Sequence, residues 1–421
     1  MGLAKYLRPQ KHNSWFNVIP ERDFPRLQSP RVPFLGTFVT VHATGESADG
    51  KPGYEVRYEG VQPLLVTLQF GFICVWFGDN LETPDWPFPT LFEKGGNGTF
   101  AISEPKIFKN TNLLDLIENN GDPIHFEVVH GWLSPRISDH EYTDRVFRLK
   151  MGGTVRYARS ADSLVKRTLG RLMPRATYNQ VLSFHGPGFG AGQIATAVGI
   201  DAQLILAFTP VGENDLKLHV AASVDESFLP GWILGAINRT PFFDFHELLS
   251  RLIAKAGVDD TDGDYRIWRH KRSLKDPKLL PNEAQIVNIR EWMSQYYLKD
   301  FEQPDQTENP SHQKRWVELG PRSGITSKEV NPYTVDGEEL IAYRTERGEV
   351  RVFEAYCPHQ GAHLGRGGTL HRDCVACPFH NFHFNADGAY LGMKSKGKPK
   401  RLMELAAIEH RIVDDVVEVF V

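Results

Sequence analysis

A chain of 421 residues with 41% hydrophobic, 11% aromatic and 24% charged residues has the apolar content for two or three cored domains, which excludes an intrinsically disordered chain. Its net charge of −4 excludes a general nucleic-acid binder, because polyanion binders carry a basic excess. Of its four cysteines, Cys357, Cys374 and Cys377 fall within 21 residues, a clustering that suits metal chemistry better than a disulfide framework.

In chain order, Met1 to Tyr6 leads into a polar stretch with no apolar core of a secretory signal. The most hydrophobic run, Phe228 to Ile237, is broken by Pro230, Gly231 and Gly235 and is too short to span a bilayer. The expectation is a soluble, cytoplasmic protein with reduced thiols. Gly53 to Asp79 alternates and then runs apolar, the pattern of paired strands. Asn112 to His130 is amphipathic and reads as helical in parts. Thr154 to Val224 contains strand-like runs, among them Gln203 to Pro210 and Leu216 to Val224. Asp264 to Lys271 and Glu283 to Tyr297 read as helices, the second with Ile286, Ile289, Met293 and Tyr297 on one stripe. Strands grouped first and helices after them predict an α+β domain over residues 1–300. Residues 301–315 (FEQPDQTENPSHQKR) have one apolar side chain and two prolines, and read as a linker. Residues 316–421 are short strands and Gly-rich turns, a small all-β domain.

The strongest motif lies in that last domain. Cys357-Pro358-His359 and Cys377-Pro378-Phe379-His380 supply one thiolate and one imidazole from each of two loops. This set suits a [2Fe–2S] cluster with cysteines on one iron and histidines on the other. Zinc accepts the same four ligands, but zinc sites of this composition pair Cys with Cys and His with His. Gly361, Gly365, Gly367 and Gly368 let the loop wrap closely, and Leu364 is placed to shield the cluster from water. His363, His371 and Cys374 fall outside both pairs and read as ordinary residues. CPHQGAHLGRGG and CPFHNFHF, with their flanking strands, resemble the Rieske domain of Rieske-type non-haem iron oxygenases from Trp316 to Val421.

A second candidate site lies upstream. His125 and His130, with an acidic residue, could hold a divalent metal as a 2-His-1-carboxylate set, which leaves positions open for O2. On a regular helix the two rings sit about 140° apart, so a distorted turn is required. The structural alternative is that Asp122-Pro123 is simply a helix N-cap and first residue. The family pattern Asn-x-x-Asp-x-x-His-x-x-x-x-His is matched by Asn119, Asp122, His125 and His130. The third ligand that the resemblance implies is an aspartate just ahead of a helix. Asp264-Tyr265-Arg266-Ile267-Trp268-Arg269-His270-Lys271 is similar to the family's Asp-x-x-Ile-Trp-x-x-Lys segment, which points to Asp264, with Asp262 as the alternative. Asp259 and Asp260 read as a solvated, helix-capping cluster.

The resemblance extends to the large region, implying an antiparallel helix-grip sheet holding a long helix over an apolar cavity. His185-Gly186-Pro187-Gly188, Phe208-Thr209-Pro210-Val211 and Arg290 to Tyr297 are similar to the ketosteroid hydroxylase and cholesterol 7-desaturase branch, which implies a bulky apolar substrate. One departure is plain: in the family the Rieske domain comes first, and here it comes last. The resemblance implies an oxygenase component that takes electrons from a separate NAD(P)H-dependent reductase, through a ferredoxin or flavin protein, to the Rieske cluster. It implies a mononuclear Fe(II) that uses O2, with Asp122 as the relay from His380 to His125 and Asn119 beside it. It also implies a homotrimer in which that relay crosses between subunits, and hydroxylation, desaturation or dealkylation of the substrate. Rivals are a Rieske electron carrier fused to a domain that binds a hydrophobic ligand, and a zinc-stabilised interaction module. Phe189, Phe228, Trp232, Phe242 and Phe243 could line a pocket or belong to the core.

Overall fold

The computed structural model describes residues 13–27, 30–46, 52–92, 99–156, 175–196, 201–212, 214–225, 244–274, 276–296 and 314–421. The apolar run 228–237, the aromatics Phe228, Trp232, Phe242 and Phe243, Tyr297 and the linker up to residue 313 lie outside them. The chain is mostly β with a few helices. It divides into two compact units. One comprises Leu7–Asp262 with Ala284–Lys299, and the other Gly263–Glu283 with Asp300–Val421.

In the first unit, β1 (Ser14–Pro20) is followed by β2 (Arg31–Phe34), β3 (Thr37–Glu46), β4 (Pro52–Tyr58) and β5 (Gln62–Leu64), of which the last four form one antiparallel sheet. β6 (Val66–Gln69) turns at Phe70-Gly71 into β7 (Phe72–Phe77), and β7 lies between β1 and β6. The continuous apolar run of β7 has a physical cause. Phe72, Cys74 and Trp76 face one core with Trp15, Phe189 and Ile205, whereas Ile73 and Val75 face a second with Phe16, Phe34 and Val39. A strand buried on both faces has no polar side to alternate with.

β8 (Ala101–Ile102) and β9 (Lys106–Lys109) precede two short helices, α1 (Leu113–Asn120) and α2 (Pro123–Val128). A meander of long strands follows: β10 (Leu133–Tyr142), β11 (Val146–Arg156), β12 (Arg175–His185), β13 (Phe189–Thr196), β14 (Asp201–Pro210) and β15 (Asp215–Asp225). Each pairs antiparallel with the next, and β8 and β9 pair with β15 at the far edge. Helix α3 spans Phe245–Trp268, much longer than the predicted segment starting at Asp264. Gly257 on α3 sits against Val220 of β15, and His246 bonds Ser223. The aspartates 259–264 therefore lie inside a helix and do not cap its start. Helix α4 (Ala284–Ser294) packs on α1, with Gln285 donating to the Gly121 carbonyl (2.9 Å) and Arg290 pairing with the buried Glu118.

In the second unit, β16 (Trp316–Pro321), β17 (Asn331–Val335), β18 (Glu338–Arg344) and β19 (Val350–Glu354) lead to a small sheet: β20 (Thr369–His371), β21 (Cys374–Ala376), β22 (His383–Phe384), β23 (Ala389–Gly392) and β24 (Lys400–Glu404). β25 (His410–Val413) and β26 (Val416–Phe420) close onto β16. Leu319, Ile325, Leu340, Val350 and Val417 form its core. The loops β19–β20 and β21–β22 carry the Cys-His pairs.

Candidate metal centres

The two Cys-His loops share one backbone design. Cys357 N donates to Ala362 O and Gly361 N to Cys357 O; in the second loop Cys377 N donates to Phe382 O and Asn381 N to Cys377 O, all at 2.9–3.0 Å. The fifth residue of each loop is left-handed, Gly361 at φ +76° and Asn381 at φ +53°, a conformation that Gly and Asn adopt most readily. Gly361 is further constrained, because a Cβ there would stand 1.8 Å from the Arg272 carbonyl.

This design brings the four side chains together. His359 and His380 are fully buried, and their Nδ1 atoms face one another at 3.0 Å. Burial pushes the Cys357 thiol well above its ordinary value, and the facing Cys377 adds to this. Burial acts on Cys377 in the same direction, but the hydrogen bond from Cys357 and the nearby His380 outweigh it and hold Cys377 down at about 7. Two thiols and two imidazole nitrogens aimed at one interior point are the donor set a cluster with two cysteines and two histidines requires. The distal nitrogen of His359 is taken up by Glu283, whose Oε2 lies 2.8 Å from Nε2. Glu283 is itself 1% exposed and also accepts from Leu280 N. Its sequence position, one residue before a helix, gave no signal of this role. His363 bonds Glu339 and Gly365 N, and Cys374 donates to Ser395 O, structural contacts outside the ligand set.

Upstream, Asp122 is the N-cap of α2: its Oδ1 accepts from Ile124 N (3.0 Å) and His125 N (3.2 Å), with Pro123 in the first turn. The His125 Nδ1 donates to the Asp122 carbonyl at 2.6 Å. That bond fixes the tautomer, leaving a lone pair on Nε2 for a metal. The Asn119 amide nitrogen stands 2.9 Å from this Nε2. Helix α2 ends at Val128, and Gly131 at φ +68° turns the chain. His130 therefore lies beyond the helix, which removes the angular conflict of a regular helix and brings the two rings to 5.1 Å. Ligand atoms of His125, His130 and Asp264 all lie within 4.8 Å of one another. Asp264 is 4% exposed, whereas Asp262 is solvent-facing and paired with Lys106 at 2.7 Å. Asp259 pairs with Lys255. Asp260 stands 3.4 Å from His130 Nδ1 and can orient that ring from behind, a role absent from the reading of it as a solvated cap. Two imidazoles and one buried carboxylate fit a divalent iron with open positions.

Among the described residues, a cavity of about 1040 Å³ opens on β10–β15, with Ile137, Met151, Val181 and Ile194 beside Gln180 and Gln203. Phe189 belongs to the core with Trp15 and Phe72. No described helix is long and apolar enough to cross a membrane.

Residues 75–297, more than half of the chain, match the family described as the 3-ketosteroid 9alpha-hydroxylase C-terminal domain, and residues 315–407 match the Rieske [2Fe-2S] domain. The Rieske domain thus follows the other in the chain. The cholesterol 7-desaturase nvd of Bombyx mori is 47% identical over 57 residues, 14% of this chain and 13% of that protein. The oxygenase component of 3-ketosteroid-9-alpha-monooxygenase from Mycolicibacterium smegmatis is 36% identical over 73 residues, 17% of this chain and 19% of that protein. These matches span less than a quarter of the relatives' own lengths. The crystal structure of dicamba monooxygenase bound to dicamba aligns over 68% of this chain and 97% of that one at 11% identity, with a TM-score of 0.42.

Proposed function

The chain belongs to the family defined by the 3-ketosteroid 9alpha-hydroxylase C-terminal domain, here followed by a Rieske [2Fe-2S] domain, and on that basis we propose that it is the oxygenase component of a Rieske-type non-haem iron oxygenase. The observation that supports this best is the convergence of His125, His130 and Asp264 in a chain that also carries the Cys357, His359, Cys377, His380 set. In this reading Cys357 and Cys377 hold one iron of the cluster and His359 and His380 the other, while His125, His130 and Asp264 hold a mononuclear Fe(II). When bound, the two groups supply one-electron storage and O2 activation.

The residues do the rest. Glu283 anchors His359 by its outer nitrogen, so the ring cannot rotate away from its donor position. The Asp122 carbonyl and Asp260 play the same part for His125 and His130. By the family pattern, Asp122 would link His380 to His125, and a separate NAD(P)H-dependent reductase or ferredoxin would supply the electrons that the cluster stores when bound. The same pattern makes the working assembly a homotrimer. The open cleft on β10–β15, which polar and charged side chains such as Arg136, Lys150 and Asp201 line beside the apolar ones, leaves room for an organic molecule; that the substrate is bulky and is hydroxylated or desaturated at a C–H bond follows from the family pattern.

Metal and acid-labile sulfide analysis with EPR after reduction tests this. About three irons and two sulfides per chain with a Rieske signal is expected, and His125→Ala should lose the mononuclear iron while keeping that signal. Two irons and two sulfides that added Fe(II) and substrate cannot raise would favour a Rieske electron carrier. Zinc without sulfide would exclude both.

A further inference from the structure

The hairpin between β23 and β24 has a composition unlike the rest of the chain. Met393 to Leu402 reads Met-Lys-Ser-Lys-Gly-Lys-Pro-Lys-Arg-Leu, five cations and no acid, in a chain of net charge −4. Lys394, Lys396, Lys398, Lys400 and Arg401 are all exposed, and the apolar residues at the two ends, Met393 and Leu402, are 38% and 37% exposed. The hairpin is tied down, with Gly397 N bonding Lys394 O (2.9 Å) and Cys374 Sγ bonding Ser395 O. A run of charge by itself is most often a solvated face.

The interior beneath it makes the difference. Lys400 Nζ lies 5.9 Å over the Tyr390 ring, Tyr390 packs on Phe382 with centroids 5.1 Å apart, and Phe382 packs on His359 (4.8 Å) and His380 (5.4 Å). Tyr390 is 3% exposed and Phe382 fully buried. His359 and His380 are fully buried, so a donor protein cannot touch them. A continuous aromatic contact joins them to the basic hairpin.

We propose that the hairpin Met393–Leu402 is the docking surface for an acidic one-electron carrier protein, whose electron enters beside His359 and His380 across Tyr390 and Phe382. The inference rests on the proposed Rieske reading. One electron leaves the reduced carrier and the oxidised cluster gains it; no bond forms or breaks. The five cations steer an acidic partner and fix its orientation, and Met393 and Leu402 give the contact an apolar component. An anionic membrane would meet the same exposed residues but has no use for an aromatic path to the cluster.

The experiment uses the full chain, with its cluster verified by EPR, and an oxidised plant-type [2Fe–2S] ferredoxin as the acidic probe. Calorimetric affinity should fall about tenfold or more at low salt in K394E/K396E/K398E, recover in the Lys→Arg triple variant, and lose the difference at high salt. The rate of cluster reduction by the reduced ferredoxin should fall in parallel, while reduction by the small 5-deazariboflavin radical stays unchanged. Unchanged ferredoxin affinity and rate would overturn the inference, as would an equal fall with the small reductant. So would a variant that loses only its binding to phosphatidylserine vesicles. Absence of the cluster signal would overturn this inference and the proposed function together, whereas an intact signal with unchanged docking overturns this one alone.

Discussion

Asp122 caps a helix and, in the proposed function, also serves as the relay, and a single substitution separates the two. Its Oδ1 caps α2 through Ile124 N and His125 N, and Asn is as good an N-cap as Asp. Asp122→Asn should therefore leave the helix and both metals in place while removing the charge the relay needs. Turnover is expected to drop by about 10–100-fold or more, with unchanged metal content; full activity would exclude the relay. Glu283 offers a test on the cluster side. In Glu283→Gln an oxygen can still accept from His359 Nε2, but the negative charge that raises ligand basicity and favours the more positive, oxidised cluster is gone. The midpoint potential should rise by about 60 mV or more, a tenfold preference for a one-electron couple, in an EPR-monitored titration. A normal cluster at an unchanged potential would limit Glu283 to a packing role. Neither Glu283 nor Asp260 could be singled out from the sequence, because each acts on a residue far away in the chain.

At the scale of elements, two pieces of local geometry decide the sites. The paired Cys-His loops use the same hydrogen bonds and the same left-handed fifth residue, but only Gly361 lies against backbone. Gly361→Ala should destabilise this unit by about 1–3 kcal/mol through left-handed strain and the clash with the Arg272 carbonyl, read as a lower melting temperature and weaker cluster retention. Asn381→Gly, at the equivalent position, should stay within about 0.5 kcal/mol of the parent. If both variants melt alike, close approach is not what demands glycine at 361. The other decisive piece is where helices stop and start. α2 stops two residues before His130, which frees that ring to turn, and α3 starts at Phe245. The Ile-Trp signature predicts only the last turns of α3, whereas its beginning is marked by Leu248, Leu249, Leu252 and Ile253 at helical spacing.

For the molecule as a whole, buried ionisable groups set the acid limit. His185 on β12 is held down at about 4 by burial and then by Arg148; His219 on β15 is held down at about 3 by burial and then by Lys217 and Arg22. Both folded values lie below the ordinary 6.5, so the unfolded chain binds the additional protons. Their contribution is complete above pH 6.5 and is lost as the pH falls through about 4 and about 3, on the order of 3–5 kcal/mol each. His219→Asn should remove about one proton from the pH dependence of denaturant unfolding in that window, followed by tryptophan fluorescence. An unchanged slope would mean that His219 is already charged in the folded protein.

Much of this protein could be read from the order of its residues. The Cys-Pro-His and Cys-Pro-Phe-His loops, the Asn119 to His130 spacing, the strand pairs of the first domain and the family itself all rest on local pattern. Loop chemistry and side-chain period are local properties, carried by neighbouring residues whatever the rest of the chain does. The family segment already pointed to Asp264, and helix packing is what sets it apart from Asp262; the tertiary structure alone decided which carboxylate anchors His359 and which rings connect the basic hairpin to the buried imidazoles. Asp262 and Asp264 are chemically identical and two residues apart. What separates them is helical phase, which turns one toward Lys106 and water and buries the other, and phase has meaning only once α3 is packed against its sheet.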